Sequence, residues 1–161
     1  MISPHYDAVL SAPCAALGII TENGALARID FLPLSTQALP PRHEFARKVC
    51  EALQAYLHDP AQPVLVPLVQ QGTPFQRRVW QAISRVPAGS TAHYGDLARA
   101  LGSSARAVGK ACGANPVPVV VPCHRILAKN SPGGFMHSKD GDPVRIKHWL
   151  LDHEARARQS A

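Results

Sequence analysis

The sequence predicts a mixed α/β (α+β) chain in two parts, a small antiparallel sheet with one helix followed by a mainly helical half. Three observations carry this. Short apolar segments flank an Asn-Gly turn near the start, apolar residues recur at helical spacing further on, and composition and charge both change at Gln70 to Pro74. With 161 residues the chain has room for one large domain or two small ones, and for a core that needs no disulfide staples. A hydrophobic fraction of 46% and a charged fraction of 17% are those of an ordinary globular protein, which excludes a disordered chain.

Ala8 to Leu10, Leu17 to Thr21 and Leu26 to Phe31 read as strands, the last two joined as a hairpin through Glu22-Asn23-Gly24. Pro40-Pro41 ends that unit. From His43 to His58, Phe45, Val49, Leu53, Tyr56 and Leu57 form a helical stripe, which Asp59-Pro60 stops. The proline-broken segment Pro63 to Leu68 suits an edge strand or a linker. Thr73 then caps a helix with Pro74 at its first position, and Phe75, Val79, Trp80 and Ile83 continue it. After the break at Pro87-Ala88-Gly89, Tyr94 to Leu101 is a short helix ending at Gly102. Ser103 or Ser104 caps the next, which runs to about Gly113. Two short helices around a glycine turn match a helix-turn-helix unit. A closing helix, Arg145 to Arg158, turns Ile146, Trp149, Leu150 and His153 inward. The two parts are therefore residues 1–73 and 74–161.

Charge divides with them. Residues 1–74 hold four Lys/Arg against six Asp/Glu, net −2, while residues 75–161 hold thirteen against five, net +8. A polyanionic partner belongs to the second half. Cys14, Cys50, Cys112 and Cys123 form no CxxC pair and no zinc-site spacing, so free thiols and a cytoplasmic setting are expected. The first twenty residues lack a signal-peptide pattern, and no apolar run approaches the ~18 residues of a membrane span.

Two segments carry chemistry. Asn115 to Arg125 reads Asn-Pro-Val-Pro-Val-Val-Val-Pro-Cys-His-Arg. Cys123 sits in a proline-bounded bend between basic neighbours, where a thiolate, the nucleophilic form, is favoured. His124 is the candidate base, although sequence neighbours point apart and direct Cys–His contact is not expected. Ser103 to Gly109 surrounds a single arginine, Arg106, with Ser, Ala, Val and Gly. Such a helix either approaches a nucleic-acid backbone so that Arg106 enters the base stack, or packs tightly on another helix with Arg106 solvated.

Read with Phe75-Gln76-Arg77-Arg78-Val79-Trp80, Val86 to Thr91, Tyr94-Gly95-Asp96-Leu97-Ala98, Trp149-Leu150-Leu151 and His153-Glu154, these segments resemble the O6-alkylguanine-DNA alkyltransferase family, the methylated-DNA–protein-cysteine methyltransferases. The resemblance runs in order through residues 74–154; residues 1–73 match only in general pattern. It implies a ribonuclease-H-like N-terminal domain and a winged helix-turn-helix C-terminal domain. Cys123 would take an alkyl group once, irreversibly, from guanine O6 (and from thymine O4) in DNA bound through the minor groove with the damaged base flipped out.

The remaining roles follow from the same resemblance. His124 would act as base through a bridging water, Glu154 would orient it, Asn115 would bridge turns beneath the cysteine, and Tyr94 would face the leaving base. Arg106 is similar to the family's arginine finger, and Ser103, Ser104, Ala105, Ala107 and Gly109 to its groove-lining small residues. Gln76, Tyr94, Gly95 and Lys129 would contact DNA as well. Pro118, Phe135, Met136 and Ser138 would line the alkyl pocket. The segment 131–143 departs from the family pattern: Gly134-Phe135 stands for the usual Gly-Tyr, the following Gly-Gly is absent and the segment is longer. The donor to guanine O6 is thus left unassigned. Arg125 either contacts a phosphate or braces the domains. From the residues alone, Glu154 reads as a solvated carboxylate and Asn115 as a plain Asn-Pro turn. No cofactor, metal, membrane or obligate protein partner is implied.

Three other readings compete with this one. An alkyltransferase-like protein grips damaged DNA without transfer, but such relatives replace the cysteine that stands here as Cys123. A winged-helix regulator needs an effector domain, for which residues 1–73 are too small and unspecialised. A cysteine hydrolase normally has its histidine far away in sequence, and no oxyanion-forming motif lies near Cys123.

Overall fold

The computed structural model describes residues 5–129, 133 and 142–159. The chain divides into two compact units, Met1–Gln70 and Gln71–Ala161.

The first unit is built on a three-stranded antiparallel sheet of order β1 (Ala8–Ser11), β2 (Ala16–Glu22), β3 (Ala25–Leu32). The β2–β3 turn places Asn23 and Gly24 both at positive φ, 50° and 76°, the backbone that an Asn-Gly hairpin demands. Helix α1 (Glu44–His58) begins one residue after its expected start because His43 is the cap: its Nδ1 accepts from the Ala46 N–H at 3.2 Å. The apolar stripe of α1 buries Val49, Leu53 and Tyr56, and the sheet buries Ala8, Leu17, Ile19, Leu26 and Ile29. Each large side chain so buried contributes about 1.5–3 kcal/mol. Pro67 to Val69 hydrogen-bonds to Leu26 on the free edge of β3, at 2.8 Å and 2.9 Å. The segment is therefore an edge pairing, with proline tolerated because that edge has no further neighbour.

The second unit contains α2 (Pro74–Ser84), β4 (Ala92–His93), α3 (Tyr94–Leu101), α4 (Ala105–Gly113), a 3₁₀ turn (Cys123–Arg125), β5 (Ile126–Leu127) and α5 (Asp142–Gln159). A capping box opens α2: Thr73 Oγ1 accepts from the Gln76 N–H at 3.1 Å, and the Gln76 Oε1 accepts from the Thr73 N–H at 2.9 Å. Gly102, in the left-handed region, ends α3, and Ser104 (not Ser103) caps α4. Trp80 Nε1 donates to the Ala111 carbonyl at 2.8 Å and so pins α4 to α2. Arg78 reaches the Leu101 carbonyl at the end of α3, at 3.3 Å. The β4–β5 pair is parallel and has no counterpart among the elements that the sequence predicts. α5 begins at Asp142, three residues before its expected start. Among the described residues no helix is long and apolar enough to cross a membrane.

Gly72 shows how tightly α2 is seated. Its φ is +89°, and a Cβ there would lie 2.6 Å from Cη2 of Trp80. Gly72→Ala should destabilise the protein by about 2–4 kcal/mol through strain and overpacking together. Urea unfolding measures this, and a loss below about 0.5 kcal/mol would mean that Trp80 does not pack there.

Candidate active site

The cysteine is placed by what precedes it. α4 ends at Gly113, and the Asn115 N–H still reaches back to the Cys112 carbonyl at 3.2 Å. The Asn115 side chain then organises the loop after it. Its Oδ1 accepts from the Val117 N–H at 3.0 Å, and its Nδ2 donates to the Val121 carbonyl at 2.8 Å and to Cys123 Sγ at 3.0 Å. Asn115 thus bridges turns beneath the cysteine and also touches the sulfur. The β-branched run forms no strand. Val119 stands at φ 75°, a costly conformation for such a residue, inside a turn closed by Val121 N–H to the Val117 carbonyl at 3.0 Å. Buried Pro118 belongs to the same turn, bridged to Val121. Pro122 (φ −84°, ψ 63°) makes an inverse γ-turn, with the Cys123 N–H on the Val121 carbonyl at 2.9 Å. The 3₁₀ turn follows at once and buries Cys123 and His124.

From α5, Glu154 meets this turn. It is 1% exposed, the opposite of a solvated terminal carboxylate. Its Oε2 accepts from His124 Nε2 at 2.8 Å, and Arg125 holds it in a fork, Nε to Oε1 and Nη2 to Oε2, both at 2.8 Å. Arg125 also donates to the Val86 carbonyl at 2.6 Å. Arg125 therefore braces, but inside its own unit. A carboxylate only accepts, so Nε2 of His124 carries the proton and Nδ1 is left as an acceptor, buried and without a partner among the described residues.

The electrostatics follow from this burial. Desolvation opposes the Glu154 charge, yet the Arg125 and His124 hydrogen bonds outweigh it and hold the carboxyl far below its usual range. Burial pushes His124 down, only partly offset by Glu154, so the imidazole is neutral. Burial likewise pushes the Cys123 thiol up, against the Asn115 hydrogen bond that favours the thiolate. The expectation that flanking basic residues make the thiolate easy to form is corrected here. His124 is neutral and Arg125 is paired with Glu154.

Around the sulfur stand Tyr94, Cys112 and Lys147. Burial holds the Tyr94 phenol protonated and pushes the Cys112 thiol up to about 12. Lys147, on α5, is fully buried, and its Nζ lies 5.8 Å from the Tyr94 ring centroid. Sequence reading missed it, because a lysine in an amphipathic helix is assigned to the solvent face. Gly133 (φ 77°) passes so close to Tyr94 that an added Cβ would lie 3.0 Å from the ring. Phe135, Met136 and Ser138 lie outside the described residues.

A groove of about 610 Å³ between α3 and α4 gathers Tyr94, Gly95, Ala105, Arg106, Gly109 and Lys129. It also takes in His93, Asp96 and Arg99, which sequence reading did not assign to the site; Asp96 pairs with Arg99 and lies 3.6 Å from Nδ1 of His93. Ser104 and Ala107 are joined in the cap of α4, Ser104 Oγ accepting from the Ala107 N–H at 3.1 Å, and Ser103 is exposed just before it. Gln76 is not in this groove; its Oε1 closes the α2 capping box. Arg106 lines the groove and is exposed.

A helix-turn-helix scaffold that carries a mainly cationic groove, with a buried thiol in the same unit, has the character of a nucleic-acid-binding protein. Residues 74–156 match the family model of the 6-O-methylguanine DNA methyltransferase DNA-binding domain. A methylated-DNA–protein-cysteine methyltransferase of Bacillus subtilis is 35% identical over 93% of this chain and 95% of its own. Two Mycobacterium tuberculosis structures each cover 92% of both chains. They are an O6-methylguanine methyltransferase (TM-score 0.78, 29% identity) and OGT in complex with DNA (TM-score 0.75, 28% identity). Against two other curated relatives the chain spans only about half of their length. The chain belongs to the 6-O-methylguanine DNA methyltransferase family, and its second half is that family's DNA-binding domain. Its fold is the mixed α/β one that the sequence predicts.

The buried imidazole makes a pH signature. The unfolded chain protonates His124 near pH 6.5, whereas the folded chain resists it. Below that pH the unfolded state binds more protons, so stability must fall as the pH is lowered. Glu154 adds a further loss below about pH 4.3, where the unfolded carboxyl protonates and the folded one does not. Urea midpoints should decline between pH 7 and 5, and His124→Gln should flatten that decline. An unchanged slope in the variant would assign the titration to another group.

Proposed function

We propose that this protein repairs DNA by direct reversal, moving the alkyl group of O6-alkylguanine, and of O4-alkylthymine, to Cys123 in a single irreversible turnover. The observation that carries this is the Asn115 Nδ2 to Cys123 Sγ hydrogen bond at 3.0 Å beside the buried His124–Glu154 pair. Together they supply an acceptor sulfur, a donor to its negative charge, and a base held by an acid.

The thiol proton leaves towards Nδ1 of His124, through one water, and Glu154 stabilises the imidazolium that forms. The thiolate attacks the alkyl carbon, forming the S–C bond. The C–O6 bond breaks and its electron pair stays with the purine. The Tyr94 hydroxyl donates its proton to the ring nitrogen where charge develops and is reprotonated in turn, so the proton first on sulfur ends on the released guanine. A donor of this kind is worth about 3–4 kcal/mol in a buried site. The thioether has no route back to the thiol.

DNA binding through the minor groove suits α4. Ala105 and Gly109 let the backbone approach, and Arg106 fills the place of the extruded base. Extrusion costs a few kcal/mol, least for a mispaired base, which favours damage. In this reading Lys129 contacts a backbone phosphate. Buried Pro118, in the turn before the cysteine, borders the alkyl pocket in the same reading.

Incubation with an oligonucleotide carrying O6-methylguanine, followed by digestion and mass measurement, should add one methyl to the peptide containing Cys123. Cys123→Ala should abolish transfer and retain DNA binding. Arg106→Ala should slow repair of duplex at least tenfold while leaving the reaction with free O6-benzylguanine nearly unchanged. Equal losses on both substrates would remove Arg106 from the stack.

A further inference from the structure

One residue of the α3–α4 groove has the wrong charge for a polyanion. Asp96 is the one carboxylate among the described residues that line it, against the cations Arg99, Arg106 and Lys129. Its side chain is 55% exposed, so packing does not require it there. It pairs with Arg99, one turn further along α3, and lies 3.6 Å from Nδ1 of His93. Arg106 and Lys129 form no ion pair among the described residues. The groove is thus uneven. Arg106 of α4 and Lys129 are free to meet phosphates, whereas the cation on α3 is occupied.

An exposed ion pair of this kind adds little to stability. A carboxylate in the first turn of α3, whose cap His93 makes no side-chain hydrogen bond, also complements the helix dipole. The dipole needs no cationic partner for that carboxylate, yet Arg99 is bound to it within the groove. We propose that Asp96 is a specificity-determining residue: it holds Arg99 in a neutral pair and so limits the grip of the groove on undamaged DNA. Phosphate contacts fix a protein on the duplex but carry no information about the base. Each adds about 0.9 to the slope of log affinity against log salt, which at about 0.1 M salt is about eightfold in affinity. A groove that offered Arg99 as well would hold every duplex more tightly, damaged or not. With Arg99 occupied, retention depends more on the extruded base, which is where damaged and undamaged DNA differ.

This inference rests on the α3–α4 groove being the face that meets DNA. Binding of an undamaged duplex oligonucleotide to the full chain is followed by fluorescence anisotropy across about 0.05–0.3 M salt, at about pH 8, where an ordinary imidazole is neutral. Asp96→Asn should steepen the salt slope by about one and tighten binding about five- to tenfold at about 0.1 M salt. Asp96→Glu keeps the charge and should stay near the wild type. In an Arg99→Gln background the change to Asn should lose most of its effect, since no cation is left to release. A purely structural role in α3 would lower the urea midpoint of Asp96→Asn without steepening its slope. An Asp96→Asn slope equal to that of the wild type overturns the proposal. An equal gain with and without Arg99 overturns it too, because simple repulsion then accounts for the effect.

Lys129→Ala tests the groove itself and should flatten the wild-type slope by about one. A slope that Lys129→Ala leaves unchanged sinks the DNA reading of this groove. A flattened slope in Lys129→Ala with a silent Asp96→Asn sinks the Asp96 role alone.

Discussion

The site depends on one buried carboxylate. Glu154 takes three charge-assisted or imidazole hydrogen bonds within 2.8 Å and has almost no contact with solvent. A lone ionised carboxylate in such a place would be very costly, and it is tolerable only because the Arg125 fork matches it bidentately. That pairing fixes the state of the third partner. With Arg125 already balancing Glu154, His124 needs no charge of its own and stays neutral, with Nε2 as donor and Nδ1 free to accept. Without Arg125, Glu154 would draw a proton permanently onto the imidazole, and the base would be lost. The residue that looks in sequence like an activator of the cysteine thus acts one step removed, by keeping its neighbour basic.

The sulfur itself is guarded. Burial raises its pKa, so most molecules hold a thiol at rest, and an inert thiol resists oxidation and stray electrophiles. The groups that favour the thiolate, the Asn115 amide above all, are already in place and need no rearrangement when substrate arrives.

How much of this could be read from the chain follows from the kind of signal each feature leaves. The Asn-Gly hairpin, the stripe of α1, the Thr73-Pro74 start and the Gly102 stop are local rules, and each falls within a residue or two of its place. The β4–β5 pair leaves no periodic trace in two residues per strand. Val119 in the left-handed region runs against its own propensity, so a run of valines reads as strand when tertiary contacts make it a turn. Lys147 and Glu154 fail for one shared reason: both are charged residues on a helix assigned by amphipathic pattern, and that pattern assumes charges face water. Gln76 carries a local signal of its own: Thr73-Pro74-Phe75-Gln76 has the spacing of a capping box, and the structure forms it.

The groove helix α4 and the sulfur are not separate devices. α4 presents Arg106, Ala105 and Gly109 outward and buries Val108, Ala111 and Cys112 inward, where Trp80 holds the Ala111 carbonyl. Its C-terminus passes directly into Asn115, whose N–H still bonds to the Cys112 carbonyl and whose side chain touches Sγ. One residue therefore joins the end of the groove helix to the nucleophile. Asn115 has both amide hydrogens committed, to the Val121 carbonyl and to the sulfur, so a shift of the α4 end moves a donor at Sγ as well. The end of α4, Asn115 and the sulfur are thus linked through hydrogen bonds of one residue, which ties the position of the helix end to the donor held at Sγ.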